Sequence, residues 1–337
     1  MNEAYDFRNL LRPVPDAAVF AEAGWYVWCG SMVRDEEGLC HLYYSRWRLE
    51  HGFSAWVSHS EVAHAVADDP LGPYQFVDVA LPQRGAQFWD GHCTHNPTVH
   101  RFGKHYYLYY TGNRGRREGG VGLAWSHRNA QRIGVAVADS PAGPWHRRDA
   151  PLIEPAPEFH DALCCANPTV LRRLEGDYLL IYKAVGDRHP LPFGGPVVHV
   201  AATAAAPDGP FTKHPAALFT AGAAAFPAED PFIWRERGRY WALVKDMAGF
   251  FTGAGVSLAL MSSPDGFRWS PAAPALAART EYRRADGSVR RLDALERPQV
   301  WLENDAPAVL FCAGAEKAIG ERSESFNVAI PLGLSPK

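Results

Sequence analysis

Acidic residues in this 337-residue chain gather where short apolar strands begin: Asp90, the pair Glu229-Asp230, and Glu296. Two carboxyls flanking one acetal bond can hydrolyse it. One protonates the leaving oxygen, and the other activates water or attacks the anomeric carbon. Around these acids stand groups suited to holding a polyhydroxylated ligand. Trp28 and Trp89 offer faces for stacking, His92, His95, Asn96 and Asn167 offer hydrogen bonds, and Arg46, Lys183, Lys245 and Arg297 offer positive charge. His92 and His95 flank Cys93, but no third ligand follows at a recognisable spacing. The pair is therefore expected to line a pocket, with no metal ligated. No Gly-rich phosphate loop, Ser-His-Asp pattern or dinucleotide fingerprint stands out.

The elements that must position these residues come from an internal repeat. His95-Asn96-Pro97-Thr98-Val99, Ala166-Asn167-Pro168-Thr169-Val170, Glu229-Asp230-Pro231-Phe232-Ile233 and Glu296-Arg297-Pro298-Gln299-Val300 each precede a turn and an apolar, mostly Tyr-containing strand, and Cys29-Gly30-Ser31-Met32-Val33 is a looser first copy. Downstream, a Pro-Gly turn recurs at Pro70–Pro73, Pro141–Pro144, Pro207–Pro210 and Pro264–Gly266. Each unit reads as strand A, tight turn, strand B, long loop, strand C, Pro-Gly turn, strand D. Five such units predict an all-β, five-bladed β-propeller with four antiparallel strands per blade. One domain is expected over 1–337, with blades starting near 28, 94, 165, 229 and 296. Residues 1–22 form an extension or close the ring. The residues opening each strand A share a face with the long B–C loops and lie nearest the axis, so the acids should converge on one funnel.

Composition bounds the function. Hydrophobic residues make up 47% and charged residues 21%, enough for a large core. A net charge of −3 argues against a nucleic-acid binder. No apolar run approaches a membrane span. Met1 to Phe20 carries five charged residues and no apolar core of a signal, so cytoplasmic residence is expected, with the six cysteines as free thiols.

The five-fold Asn/Asp-Pro pattern with its Ser-Pro-x-Gly-Pro-Trp turn resembles the five-bladed propeller glycosidases of glycoside hydrolase family 43. The blend of Trp89-Asp90-Gly91-His92, Glu229-Asp230-Pro231 and Glu296-Arg297-Pro298 is similar to family 117. The resemblance implies Asp90 as general base, Asp230 as the carboxylate that tunes and orients, and Glu296 as the acid or its support. It departs from family 43 at Cys29-Gly30-Ser31, where that family would place its base, and no His stands just upstream of Glu296, where family 117 would place its acid. The implied activity is exo-acting, inverting release of a terminal sugar from an oligosaccharide. No cofactor is required, and the central channel leaves room for a structural divalent ion. A propeller phosphorylase and a non-catalytic carbohydrate-binding propeller remain the alternatives.

Overall fold

The computed structural model describes residues 5–116 and 122–333. Five four-stranded antiparallel sheets follow one another along the chain as the blades of a β-propeller. Blade 1 runs Trp25–Arg34, Cys40–Arg48, Glu61–Ala67 and Gln75–Leu81. Blade 2 runs Cys93–Phe102, His105–Asn113, Arg132–Ala138 and His146–Arg147. Blade 3 runs Cys164–Arg172, Tyr178–Val185, Val197–Ala204 and Thr212–Leu218. Blade 4 runs Ala228–Glu236, Arg239–Asp246, Ser257–Ser263 and Ser270–Arg279. Blade 5 takes three strands from the C-terminal end, Ala294–Glu303, Ala306–Ala315 and Phe326–Pro331, and its fourth from the N-terminal side, Val19–Phe20. The extension thus closes the ring.

The repeat is visible in detail. The Pro-Gly turns of blades 1 to 3 carry a cis peptide bond at the same place, Gly72-Pro73, Gly143-Pro144 and Gly209-Pro210. The glycine in each has φ between 84° and 88°, a region closed to most side chains. Tyr43 and Tyr109, equivalent in strand B, each donate a hydrogen bond to a proline carbonyl of the next blade, Pro141 and Pro207. The blade faces pack apolar side chains such as Leu180, Ile181, Leu243 and Leu310, all buried. All six cysteines are buried and free.

The charged block 279–291 forms a short hairpin, Glu281–Arg283 with Val289–Arg291, tied to the N-terminal segment through Val14 and Asp16. In the basic loop 112–132, Arg117 lies outside the described residues. Arg128 of that loop is held by the carbonyl of Phe193. No helix among the described residues is long and apolar enough to cross a membrane.

Candidate active site

Every innermost strand breaks register at the same point, between Trp28 and Ser31, His95 and Thr98, Ala166 and Thr169, Glu229 and Phe232, and Glu296 and Gln299. The residue after the first of each pair is left-handed: Cys29 (φ 59°), Asn96 (52°), Asn167 (54°), Asp230 (55°) and Arg297 (55°). Asn and Asp enter this region most easily. Cys and Arg do so rarely, and such backbone is kept where surroundings hold it.

These bulges bring five side chains together around the axis. The Cys29 thiol donates to Asn96 Oδ1 at 2.9 Å, Asn96 Nδ2 donates to Asn167 Oδ1, and Asn167 Nδ2 donates to Asp230 Oδ1 at 2.5 Å. From the other side an Arg297 guanidinium nitrogen donates to the same oxygen at 3.3 Å. An ionised Asp can only accept, so it sets the direction of the whole chain. Each amide must turn its nitrogen toward Asp230, and Cys29 must keep its proton. Burial, the dominant influence, pushes the Cys29 thiol pKa up in agreement. Burial, then the neighbouring Glu229, raises Asp230 to about 6 against the pull of Arg297.

One residue before the ring, on the side of the long loops, the blades diverge: Trp28, His95, Ala166, Glu229 and Glu296. Their partners on strand B are Ser45, Thr111, Lys183, Lys245 and Ala313. In blades 1 and 2 the partner is structural, since the Ser45 and Thr111 hydroxyls accept the backbone N–H of Asn96 and Asn167 in the next blade. In blades 3 and 4 the same position holds lysine. Lys183 Nζ lies 2.7 Å from Glu229, and Lys245 Nζ lies 2.7 Å from Glu296 and 3.8 Å from Glu229. Both glutamates keep 19% of their side chains exposed. Burial would raise Glu229, but Lys183 and Lys245 outweigh it and hold the pKa near 2. Burial works against the charge of Lys245, yet Glu296 and Glu229 push its pKa up. On the far side, Trp28 packs edge-on against Phe53, and Arg322 covers both rings. His95 is bonded to Ser60 Oγ at 2.8 Å and packs beside Trp56. Burial, then Arg297 and Lys183, lowers its pKa well below the usual value, so the ring is neutral.

The structure therefore brings together Asp230, Glu296, Glu229, Lys183, Lys245, Arg297, Asn96, Asn167, His95 and Trp28. It does not bring Asp90, Trp89, His92 or Arg46 to them. Asp90 is fully buried inside blade 2, taking Arg84 Nε at 2.6 Å, the Tyr110 hydroxyl at 2.6 Å and Arg147 at 3.4 Å. Its equivalent in blade 3, Asp161, takes Tyr182 at 2.8 Å and Lys213 at 2.6 Å. A carboxylate repeated with the same kinds of partner in two blades is a latch. Trp89 stacks on Tyr110 beside it, where Gly112 and Gly134 leave room. His92 bonds the Gly115 carbonyl. Arg46 sits one residue past the lysine register, opposite Val27, and so turns to the other sheet face, where Glu22 and Glu61 pair with it. His199 and Arg322 adjoin the site without standing out in the sequence. His199, beside Lys183, has both ring nitrogens buried and without a hydrogen-bond partner among the described residues, and burial lowers its pKa to about 3.

Among the described residues no group of three or more His, Cys, Asp or Glu could hold a metal ion. The axial ring, with a protonated thiol, two amides and a guanidinium around one carboxylate, does not fit a divalent cation.

Solved structures of family 43 and family 117 glycoside hydrolases superpose on this chain. A family 117 glycoside hydrolase from the marine bacterium Zobellia galactanivorans matches with a TM-score of 0.64 at 15% identity, covering 96% of this chain and 92% of its own. A thermostable family 43 glycoside hydrolase matches with a TM-score of 0.61 at 13% identity, over 97% and 98%. An endo-arabinase from Bacteroides thetaiotaomicron matches with a TM-score of 0.57 at 14% identity, over 96% and 98%. At these identities the likeness is one of fold. No sequence-family model and no curated protein matches the chain.

Proposed function

We propose that the chain is a glycoside hydrolase whose reaction takes place at the Glu229–Glu296 pair. The observation that carries this reading is the divergence of the blades at one register position. Where blades 1 and 2 keep a backbone-holding hydroxyl, blades 3 and 4 place lysines that hold two accessible glutamates at the axial mouth. The fold shared with glycoside hydrolases supports it.

Glu229, held ionised by its two lysines, is the base that activates water. Glu296, ion-paired with Lys245 in the free chain, takes up a proton from solvent once the bound sugar displaces that lysine, and gives it to the leaving oxygen. Asp230 and the unpartnered nitrogens of Arg297 lie below as hydrogen-bonding groups for sugar hydroxyls. Lys245 now reaches both glutamates, so their facing oxygens are no further apart than its two contacts laid end to end. A bound sugar must draw Lys245 off one of them, opening the gap toward the ~6.5–9.5 Å that an intervening water needs in an inverting enzyme. Exo action on an oligosaccharide, with no cofactor, completes the reading.

The test is a panel of aryl glycosides and oligosaccharides, with product anomers followed by proton NMR. Phosphate-independent release with inversion, reduced ~10²–10⁴-fold in both Glu229→Gln and Glu296→Gln, is expected. Retention would overturn the water-activating role of Glu229. The surplus cationic nitrogens of Arg297 favour a second reading, a phosphorylase, for which turnover would require added phosphate.

A further inference from the structure

The axial ring divides the channel, and the chamber on its other side has its own chemistry. It is a cavity of about 360 Å³ between the five innermost strands, at the end where their A–B hairpins turn. That volume lies within the range of small-molecule sites. Its lining mixes apolar side chains, among them Val99, Val170, Phe232, Val300 and Trp301, with polar ones. Two of the polar groups have buried atoms without a partner among the described residues. Gln299, two residues past Arg297 and 2% exposed, has neither its amide oxygen nor its amide nitrogen bonded. His100 has a buried Nε2 without a partner. Buried amides are bonded in nearly all folded proteins, so an unpaired one lining a cavity marks a place for a ligand's polar atom.

The mouth is cationic by repetition. The fifth residue after each ring position is Arg34, Arg101, Arg172 and Arg235 in blades 1 to 4, and Leu302 in blade 5. Arg34 pairs with Glu303 and Arg101 with Glu36. Arg172 and Arg235 also line the cavity, and neither has a carboxylate partner among the described residues. Asp305 is the lining acid. A guanidinium fork with its terminal nitrogens unpaired by carboxylate suits a ligand's carboxylate, and the aromatic side chains suit a flat ring.

We infer that this chamber is a second binding site, separate from the glutamate pair, for a small aryl carboxylate. Its carboxylate lies at Arg172 and Arg235, its ring lies against Phe232 and Trp301, and a polar ring substituent reaches the Gln299 amide. A sugar acid fits less well, because the Ser31 hydroxyl already holds the Val99 N–H, and hydroxyls beyond those that Gln299, His100 and Asp305 could meet would face valine and aromatic side chains.

The experiment is a titration of the full chain by calorimetry and by Trp fluorescence, with benzoate, 4-hydroxybenzoate, benzamide, glucuronate and inorganic phosphate as probes. Saturable binding of benzoate is expected, tighter for 4-hydroxybenzoate and at least fivefold weaker for benzamide, glucuronate and phosphate. The Arg172→Gln/Arg235→Gln double variant, altered only at the cavity mouth, should weaken benzoate at least fivefold. Gln299→Leu should remove the preference for the hydroxyl while leaving benzoate bound. No saturation by benzoate, equal binding of phosphate or glucuronate, or unchanged affinity in the double variant would overturn the site. None of these outcomes depends on whether the glutamate pair hydrolyses a glycoside.

Discussion

Asp230 is the one anion of the axial ring, and its two donors are of unequal importance. Arg297 is buried and has no other carboxylate partner among the described residues. Replacing Asp230 with Ala leaves that charge uncompensated and should cost about 3–5 kcal/mol in urea unfolding. Asp230→Asn keeps an oxygen for both donors and should fold with a smaller loss. The two differ from wild type in pH dependence as well. Asp230 is raised from the ordinary 3.8 to about 6 in the folded state, so the native chain holds a proton that the unfolded chain has lost. Its contribution to stability is therefore greatest below about pH 4 and is lost as pH rises to 6, by roughly 3 kcal/mol. Glu229 runs the other way. With a folded pKa near 2 it adds stability above its ordinary 4.5 that disappears as pH falls. Unfolding midpoints from pH 4 to 7 should fall less with rising pH in Asp230→Asn than in wild type. In Lys245→Met, where Glu229 loses one of its two cations, acid should unfold the protein less steeply, and the lower limb of any pH–rate profile should move to higher pH.

At the scale of single strands, parity and register decide what a residue does. The starts of the A strands and the Pro-Gly turns were legible because Asn-Pro, Asp-Pro and Gly-Pro mark backbone geometries that few other residues supply. The carboxylates at the mouth were legible for the same reason, since they stand beside those marks. Arg46 was not, because a slip of one residue moves a side chain to the opposite sheet face. Ser45, not Arg46, shares the register of Lys183 and Lys245. The burial of Asp90 inside blade 2 was not legible for want of one comparison. Phe88-Trp89-Asp90 stands as far before Asn96-Pro97 as Phe159-His160-Asp161 stands before Asn167-Pro168. Both acids meet a strand B tyrosine and a strand D cation, which a sequence read blade by blade does not display. The latch reading predicts that Asp90→Asn lowers stability by about 3–5 kcal/mol, since it leaves two arginines facing a neutral group, while turnover per folded molecule stays unchanged. Asp161→Asn should behave alike. Measuring kcat beside the unfolding midpoint separates this from catalysis, for which kcat would collapse with the midpoint intact.

Across the whole molecule, a circular fold has to join its first and last blades, and here the N-terminal segment does more than supply the closing strand. Tyr5 and Phe7 pack on Trp241 and Trp234 of blade 4. Val19–Phe20 completes blade 5, and the Phe20 ring lies edge-on to Tyr44 and Tyr74 of blade 1. The segment thus runs as a strap over the seam, anchored by apolar side chains at both ends, with Leu10 and Val14 almost wholly buried between. Removing a buried Phe typically costs ~3–5 kcal/mol, so Phe7→Ala and Phe20→Ala should each lower the urea midpoint substantially. The two rings pack on aromatic side chains of different blades, and independent anchors would give additive losses. A strap holding one closed ring predicts otherwise. Once either end is released, the other holds little, so the double variant should lose clearly less than the sum of the single losses. Both single variants should also bring on unfolding of the blade 4 to blade 1 seam before the rest, read as earlier hydrogen exchange in Phe326–Pro331 than in the central strands of blades 2 and 3. Additive losses with uniform exchange would instead make the segment ordinary packing, and the ring would be held by its blade-to-blade contacts alone.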